Sequence, residues 1–169
     1  MDDKDWTGNS RTTFTILGAR NYATEERETN DYYATDPIAL ELLLEKEKFS
    51  NNVWECACGE GHLSEVLQSN GYNVFSSDLI NRGYGVGGID FLKCNKPFDG
   101  DIITNPPYKF ALDFVKKALE LITPGHKVAM FLKVQFLEGK ERGKFFAASP
   151  PLCGLCFIKP YKLRKKWRF

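Results

Sequence analysis

The sequence predicts an α/β fold, a mostly parallel, doubly wound sheet with helices on both faces. Three observations carry that prediction. Short apolar runs bounded by glycine, proline or acids alternate with segments whose apolar residues recur at helical spacing, as successive βαβ units require. The 169 residues suffice for one domain with a single core. Apolar residues make up 43% and charged residues 27%, an ordinary globular composition that excludes a chain disordered throughout.

The elements follow in order. Residues 1–31 hold seven acids and four bases among scattered apolar residues such as Phe14, Ile16 and Leu17, and are expected to form an irregular amino-terminal arm. Residues 32–148 carry the alternating pattern and are expected to be the domain proper. There Thr35 or Asp36 can cap a helix, Pro37 suits its first turn, and Ile38, Leu42, Leu43 and Phe49 make an apolar face; a helix over about residues 37–48 follows. Asn52-Val-Trp-Glu-Cys-Ala57 reads as a strand, Gly59-Glu-Gly61 as a turn, and Leu63, Val66 and Leu67 as one face of a helix that Gly71 stops. Tyr72-Asn-Val-Phe-Ser-Ser-Asp78 reads as a second strand with an acid at its end. A glycine-rich stretch (Gly83, Gly85, Gly87, Gly88) then leads to Ile89-Asp-Phe-Leu92, where no helix is expected. Asp101-Ile-Ile-Thr104 is a third strand, broken by Pro106-Pro107. Ala111, Phe114, Val115, Ala118, Leu119 and Ile122 form a helical stripe ending near Pro124-Gly125, and residues 126–136 read as an apolar strand.

Lys plus Arg number 23 against 22 Asp plus Glu, yet the distribution is lopsided: residues 157–169 hold six bases (Lys159, Lys162, Arg164, Lys165, Lys166, Arg168) and no acid, leaving −5 for the remainder. The five cysteines are an odd number, no apolar run approaches the roughly 18 residues a membrane span needs, and Met1-Asp-Asp-Lys-Asp-Trp6 is not a signal-peptide core. A cytoplasmic protein with reduced thiols, off the membrane, is expected. A four-thiolate zinc site from Cys56-x-Cys58 and Cys153-x-x-Cys156 is a rival reading of the cysteines. It is disfavoured because Cys56 and Cys58 fall inside the glycine turn, and strand side chains two apart share a core face, so no metal is expected, and Cys94 reads as an ordinary small apolar residue.

The strongest chemical signal is Asn105-Pro-Pro-Tyr108 at the carboxyl end of a predicted strand, where a doubly wound sheet puts its reacting groups. An exocyclic amine on a nucleobase is a poor nucleophile, because its lone pair is delocalised into the ring. Two acceptors bonded to its two hydrogens draw the nitrogen toward tetrahedral geometry and free that pair. The Asn105 amide oxygen and the Pro106 carbonyl can be those acceptors; Pro106 and Pro107 fix the loop and remove competing N–H groups, and Tyr108 offers a ring for stacking. The competing interpretation is a plain β-turn, which Asn and Pro both favour. The second signal is Glu55-Cys-Ala-Cys-Gly-Glu-Gly61, a glycine turn between strand and helix, followed 19 positions after Gly59 by Asp78, a carboxylate suited to ribose hydroxyls. The turn lacks a third glycine and a Lys-Ser/Thr pair, which favours a ligand without phosphate, and Glu55 suits a cationic one.

Together these segments resemble S-adenosylmethionine-dependent methyltransferases, and more narrowly the small phage- and prophage-type DNA N6-adenine methyltransferases of the NPPY class. The resemblance covers about residues 14–142. Leu17-Gly-Ala-Arg-Asn21, Arg27-Glu28 and Asp31-Tyr-Tyr-Ala-Thr-Asp-Pro37 look like that family's amino-terminal segment, and Phe131-Leu-Lys-Val-Gln-Phe-Leu-Glu-Gly139 looks like its strand after the catalytic loop. The resemblance implies a Rossmann-like fold and S-adenosylmethionine as cofactor. It implies that Glu55, Ala57, Gly59 and Gly61 line that cofactor, Asp78 binds its ribose, Asp90 with Phe91 brackets its adenine, and Tyr33 and Thr35 add contacts. Asn105, Pro106, Pro107 and Tyr108 would hold the target, an adenine flipped out of DNA. No His, Cys or Lys nucleophile is needed, so His62 and His126 read as surface or capping residues. Lys133 and Gln135, at a strand end, are either near the base or merely exposed.

The chain departs from the family after the Gln-Phe-Leu-Glu-Gly block. Residues 149–169 form an atypical basic tail without a convincing final strand, and a missing carboxyl-terminal strand of the sheet is expected. One explanation is a frame-shifted tail, which the nucleotide sequence tests. Other functions consistent with the residues are methylation of RNA adenine or of a protein glutamine, or a truncated, inactive remnant that binds cofactor or nucleic acid.

Overall fold

The computed structural model describes residues 35–158 and 162–168. The expected amino-terminal arm and Tyr33 lie outside the described residues. Helix α1 (Pro37–Lys46) begins where the sequence signals converge: Pro37 occupies the first turn and the Asp36 carboxylate accepts a hydrogen bond from the Ile38 amide at 3.1 Å. Strand β1 (Asn52–Glu55), helix α2 (His62–Ser69) and strand β2 (Asn73–Ser76) form the first βαβ unit. A 3₁₀ turn (Phe91–Lys93) precedes β3 (Asp101–Thr104), and a second 3₁₀ turn (Tyr108–Phe110) leads into α3 (Ala111–Leu121) and then β4 (Val128–Met130). A third 3₁₀ turn (Val134–Leu137), α4 (Lys140–Ala148), β5 (Cys153–Ile158) and β6 (Lys162–Arg168) complete the order.

β1 to β4 make one parallel sheet in the order β2-β1-β3-β4. Its centre is buried on both faces, and successive strand residues serve opposite sides. Val53 and Ile103 pack with Leu40 of α1 and Leu63 and Leu67 of α2. Trp54 and Ile102 pack with Phe91 and with Phe114, Ala118 and Leu121 of α3. The Trp54 ring meets Phe91 edge-on at 5.2 Å between centroids, Phe91 lies 5.0 Å from Phe114, and the Trp54 indole N–H donates to Ser77 Oγ at 2.8 Å, so a large aromatic is buried with its polar atom satisfied.

Three expectations need correction. The buried face of α1 centres on Leu40, with Leu43 and Leu44 against it, while Ile38 is 44% exposed; the stripe that meets Ile103 and Leu63 is the one that packs. The last strand of the sheet is only three residues long instead of spanning residues 126–136, and Lys133 and Gln135 lie beyond it. β4 pairs with Ile102, Ile103 and Thr104 of β3, and β3 gives way at Pro106-Pro107, which have no N–H to continue a ladder. The basic tail is not strandless: β5 and β6 pair antiparallel, from Cys153 opposite Arg168 to Ile158 opposite Lys162, with an irregularity at Cys156/Phe157. The two strands form a sheet of their own, separate from the parallel one.

Among the described residues no group of three or more His, Cys, Asp or Glu is placed to hold a metal ion, and no helix is long and apolar enough to cross a membrane. His126, read as a surface or capping residue, sits between two carboxylates at the amino ends of β3 and β4, 3.3 Å from Asp101 and 3.1 Å from Asp99. Cys94 packs partly buried against the aromatic cluster. Replacing Trp54 with alanine is expected to lower unfolding free energy by about 3–5 kcal/mol, measured by urea denaturation followed by far-ultraviolet circular dichroism.

Candidate functional site

The strand order places a crevice. From β1 the chain passes outward to β2, then returns to lay β3 on the other side of β1; in open α/β sheets ligands bind at the carboxyl ends of the strands where the order reverses. At that edge three segments meet: the turn after β1, Asp78 after β2, and the Asn105 loop after β3.

The turn after β1 is built on glycine. Gly61 has a φ of 91°, the left-handed region, and a Cβ placed on it would fall 2.5 Å from the Tyr84 ring, so conformation and space both require glycine there. Gly61 is also the N-cap of α2, with its carbonyl accepting from the Glu65 amide at 2.8 Å and its amide donating to the Cys58 carbonyl at 2.8 Å. Asp78 is bound to this turn. One carboxylate oxygen accepts from the Gly59 amide at 2.8 Å and the other from the Ile80 amide at 2.9 Å, which fixes the carboxylate and leaves each oxygen a further lone pair. The glycine turn and the acid 19 residues on, paired in the sequence by spacing alone, are in direct contact.

Glu55 does not open onto the crevice. It is 2% exposed, beneath the turn on the α2 side. The Ser64 hydroxyl donates to its carboxylate, and Ser64 and Ser76 share a hydrogen bond at 2.5 Å. Burial pushes its carboxyl up to about 8, opposed by the Ser64 hydrogen bonds and assisted by the Asp78 charge. Neither serine stood out in the sequence; the available signal was Ser64 lying beside the Leu63–Leu67 stripe of α2, a polar residue on a buried face. Cys56 is buried beside Glu55 and Cys58 lies within the turn; burial raises both thiols, Cys58 to about 12, which makes them inert as nucleophiles at neutral pH.

Asp90 caps the first 3₁₀ turn, accepting from the Leu92 amide at 3.2 Å, and pairs with Lys93 at 3.0 Å. Phe91 is in the aromatic core, 2% exposed. Its ring cannot bracket a ligand from there, and any such role falls to its backbone. Ala57 is partly exposed between β1 and the turn.

In the Asn105 loop Pro106 is buried, while Asn105, Pro107 and Tyr108 are partly exposed, the Asn105 Oδ1 atom itself being buried. The loop leads into a turn in which the Pro107 carbonyl accepts from the Phe110 amide at 2.9 Å. The Asn105 side-chain NH₂ donates to Thr35 Oγ at 2.7 Å. Thr35, expected beside a cofactor, is thus joined to Asn105. The Lys133 ammonium lies 4.6 Å from the centre of the Tyr108 ring, a cation–π contact that brings this lysine to the loop although it lies outside β4.

No family model matches the chain, and no curated protein does. Solved structures do. A candidate RNA methyltransferase from Pyrococcus horikoshii superposes with a TM-score of 0.54 at 18% identity, covering 93% of each chain. A SAM-dependent O-methyltransferase from Thermotoga maritima superposes with a TM-score of 0.50 at 14% identity, covering 82% of this chain and 61% of that one. The fold is the Rossmann-like α/β fold of class I methyltransferases.

Glu55 gives a measurable consequence. Its carboxyl is raised from 4.5 unfolded to about 8 folded, so the folded state keeps a proton that the unfolded state has lost. Stability is therefore greatest below about pH 4.5 as far as this group is concerned, and falls as pH rises toward 8, by at most about 1.4 kcal/mol per unit. Urea unfolding of wild type and Glu55→Gln between pH 5 and 8 should show a downward slope in wild type that the variant flattens.

Proposed function

We propose that this chain is an S-adenosylmethionine-dependent methyltransferase that acts on the N6 amine of adenine in DNA. The observation that carries the reading is the juxtaposition at one sheet edge of the Asn105-Pro-Pro-Tyr108 loop after β3 with the glycine turn and the fixed Asp78 carboxylate after β1 and β2. The fold is one that solved methyltransferase structures share, and the donor set fits the cofactor. Asp78 holds two oriented oxygens at the turn, as paired ribose hydroxyls require, and supplies negative charge suited to a cation. When bound, S-adenosylmethionine supplies an electrophilic methyl group on a cationic sulfonium. Gly59, Gly61 and Ala57 would border it closely, Asp78 would bind the ribose, and Asp90 with the Phe91 backbone would meet the adenine.

The chain's own residues then prepare the acceptor. Asn105 Oδ1 and the Pro106 carbonyl accept the two amine hydrogens, returning the nitrogen lone pair from the ring. Pro106 and Pro107 hold the loop without offering an N–H that would compete. Tyr108 stacks on the base, exchanging its contact with Lys133 for one with a π-face. The proton that the amine sheds as it is alkylated leaves to solvent. Binding geometry, with no side-chain nucleophile, carries the rate enhancement. In duplex DNA the adenine leaves the stack to reach the loop.

The test is methyl transfer to unmethylated duplex and single-stranded DNA, with RNA and protein substrates assayed alongside, read by mass spectrometry of the nucleosides. N6-methyladenine is the expected product. Asn105→Ala is expected to lower kcat on the order of 10²-fold, the scale for losing one preorganised polar contact to the reacting group. Tyr108→Ala is expected mainly to raise the DNA KM, through the loss of about 1–3 kcal/mol of stacking. Methylation of glutamine or of RNA alone would overturn the DNA assignment, and no product on any substrate from a folded, cofactor-binding chain would overturn the enzyme.

A further inference from the structure

We infer that Thr35 is a positioning residue whose hydroxyl holds the Asn105 amide with Oδ1, the acceptor, turned toward the substrate amine. The inference rests on the amine-methylation reading and adds to it a second residue on which the acceptor depends. An amide side chain has two ends of nearly equal size and a broad, two-fold terminal torsion. One end accepts and the other only donates. Presented to an exocyclic amine, the donor end would set N–H against N–H and leave the lone pair in the ring. The loop therefore needs something to choose between the two orientations. In the structure Asn105 Nδ2 donates to Thr35 Oγ at 2.7 Å. That bond occupies the donor end and turns the acceptor end away from Thr35.

The two partners are 70 positions apart in sequence, and one packing unit fixes both. Thr35 precedes Asp36, the cap of α1, and Pro37, its first residue. Leu40 of α1 is fully buried in one apolar cluster with Val53, Leu63, Leu67 and Ile103, and Ile103, on β3, lies two residues before Asn105. The cluster that seats α1 on the sheet thus holds residues near both partners of the hydrogen bond.

Thr35→Val removes the hydroxyl and keeps the branched shape, while Thr35→Ser keeps the hydroxyl. The first readout needs no turnover: solvent exchange of the Asn105 side-chain NH₂ in ¹⁵N-labelled protein, with the signal identified by its absence in Asn105→Asp. Exchange is expected to be several-fold faster in the valine variant and close to wild type in the serine variant. The second readout is kinetic. In Thr35→Val kcat is expected to fall about three- to tenfold, the population ratio that one neutral hydrogen bond sets, with the cofactor Kd and the nucleic-acid KM within about twofold, and Thr35→Ser is expected to restore kcat. Unchanged exchange in Thr35→Val would overturn the inference. So would a weakened cofactor Kd with kcat intact at saturation, which would make Thr35 a cofactor contact instead. If wild type methylates no amine, the amine-methylation reading falls on its own, and the exchange rates alone decide whether Thr35 fixes the amide.

Discussion

The burial of β1 at the centre of the sheet is the constraint on which the rest of the structure depends. β1 lies between β2 and β3, helices cover both of its faces over residues 53–55, and Val53 and Trp54 are each committed to a separate core. The helices are thereby assigned their sides, α1 and α2 to the Val53 face and α3 to the Trp54 face. The two connections leave β1's neighbourhood in opposite directions. A reversal of strand order next to β1 opens a crevice at the carboxyl edge, and the glycine turn, Asp78 and the Asn105 loop all follow strands that end there.

Polar groups at that edge are arranged by the same burial. A carboxyl under the glycine turn has no access to water, so it needs hydroxyl partners and holds a proton that a solvated acid would lose. Ser64 is the partner of Glu55, and Ser76 in turn is bonded to Ser64. Asp78, nearer the surface, is instead oriented by two backbone amides, which fix its direction and leave it able to accept more. The two acids differ in role because of depth: the buried one supports the turn, and the accessible one is free to meet a ligand. The Asn105 loop follows the same logic, with Pro106 buried as its anchor and the asparagine amide tied to the start of α1.

The sequence was legible wherever local chemistry decides the outcome. Proline after an N-cap acid starts α1, glycine with a left-handed φ makes the turn before α2, and four apolar-rich residues between polar boundaries make β1 and β3. Legibility failed where the answer depends on a partner far along the chain. Two overlapping apolar stripes run along α1, and the positions of Val53, Leu63, Leu67 and Ile103 select the one that contains Leu40. Residues 126–136 look like one long strand, yet β3 stops at a diproline and leaves β4 three residues to pair with. Asp78 and Asn105 are recognisable because acids and amides at strand ends are positioned by the strand itself. The Glu55–Ser64–Ser76 chain and the Thr35–Asn105 bond are not, because no spacing rule brings a hydroxyl from a helix to a strand end. Phe91 misled for a related reason: an aromatic beside an acid fits a ligand site or a core equally well, and here Trp54 and Phe114 claim it.

The central claim is that cofactor and target amine meet in the crevice between the carboxyl ends of β1 and β3. The most direct measurement is a crystal structure of the full chain with S-adenosylhomocysteine and an adenine-containing oligonucleotide. The account predicts ribose hydroxyls on the Asp78 carboxylate and the adenine N6 within hydrogen-bond distance of Asn105 Oδ1. A ligand seated at the amino edge of the sheet, near His126 and Asp99, or an adenine N6 turned away from Asn105, would contradict it.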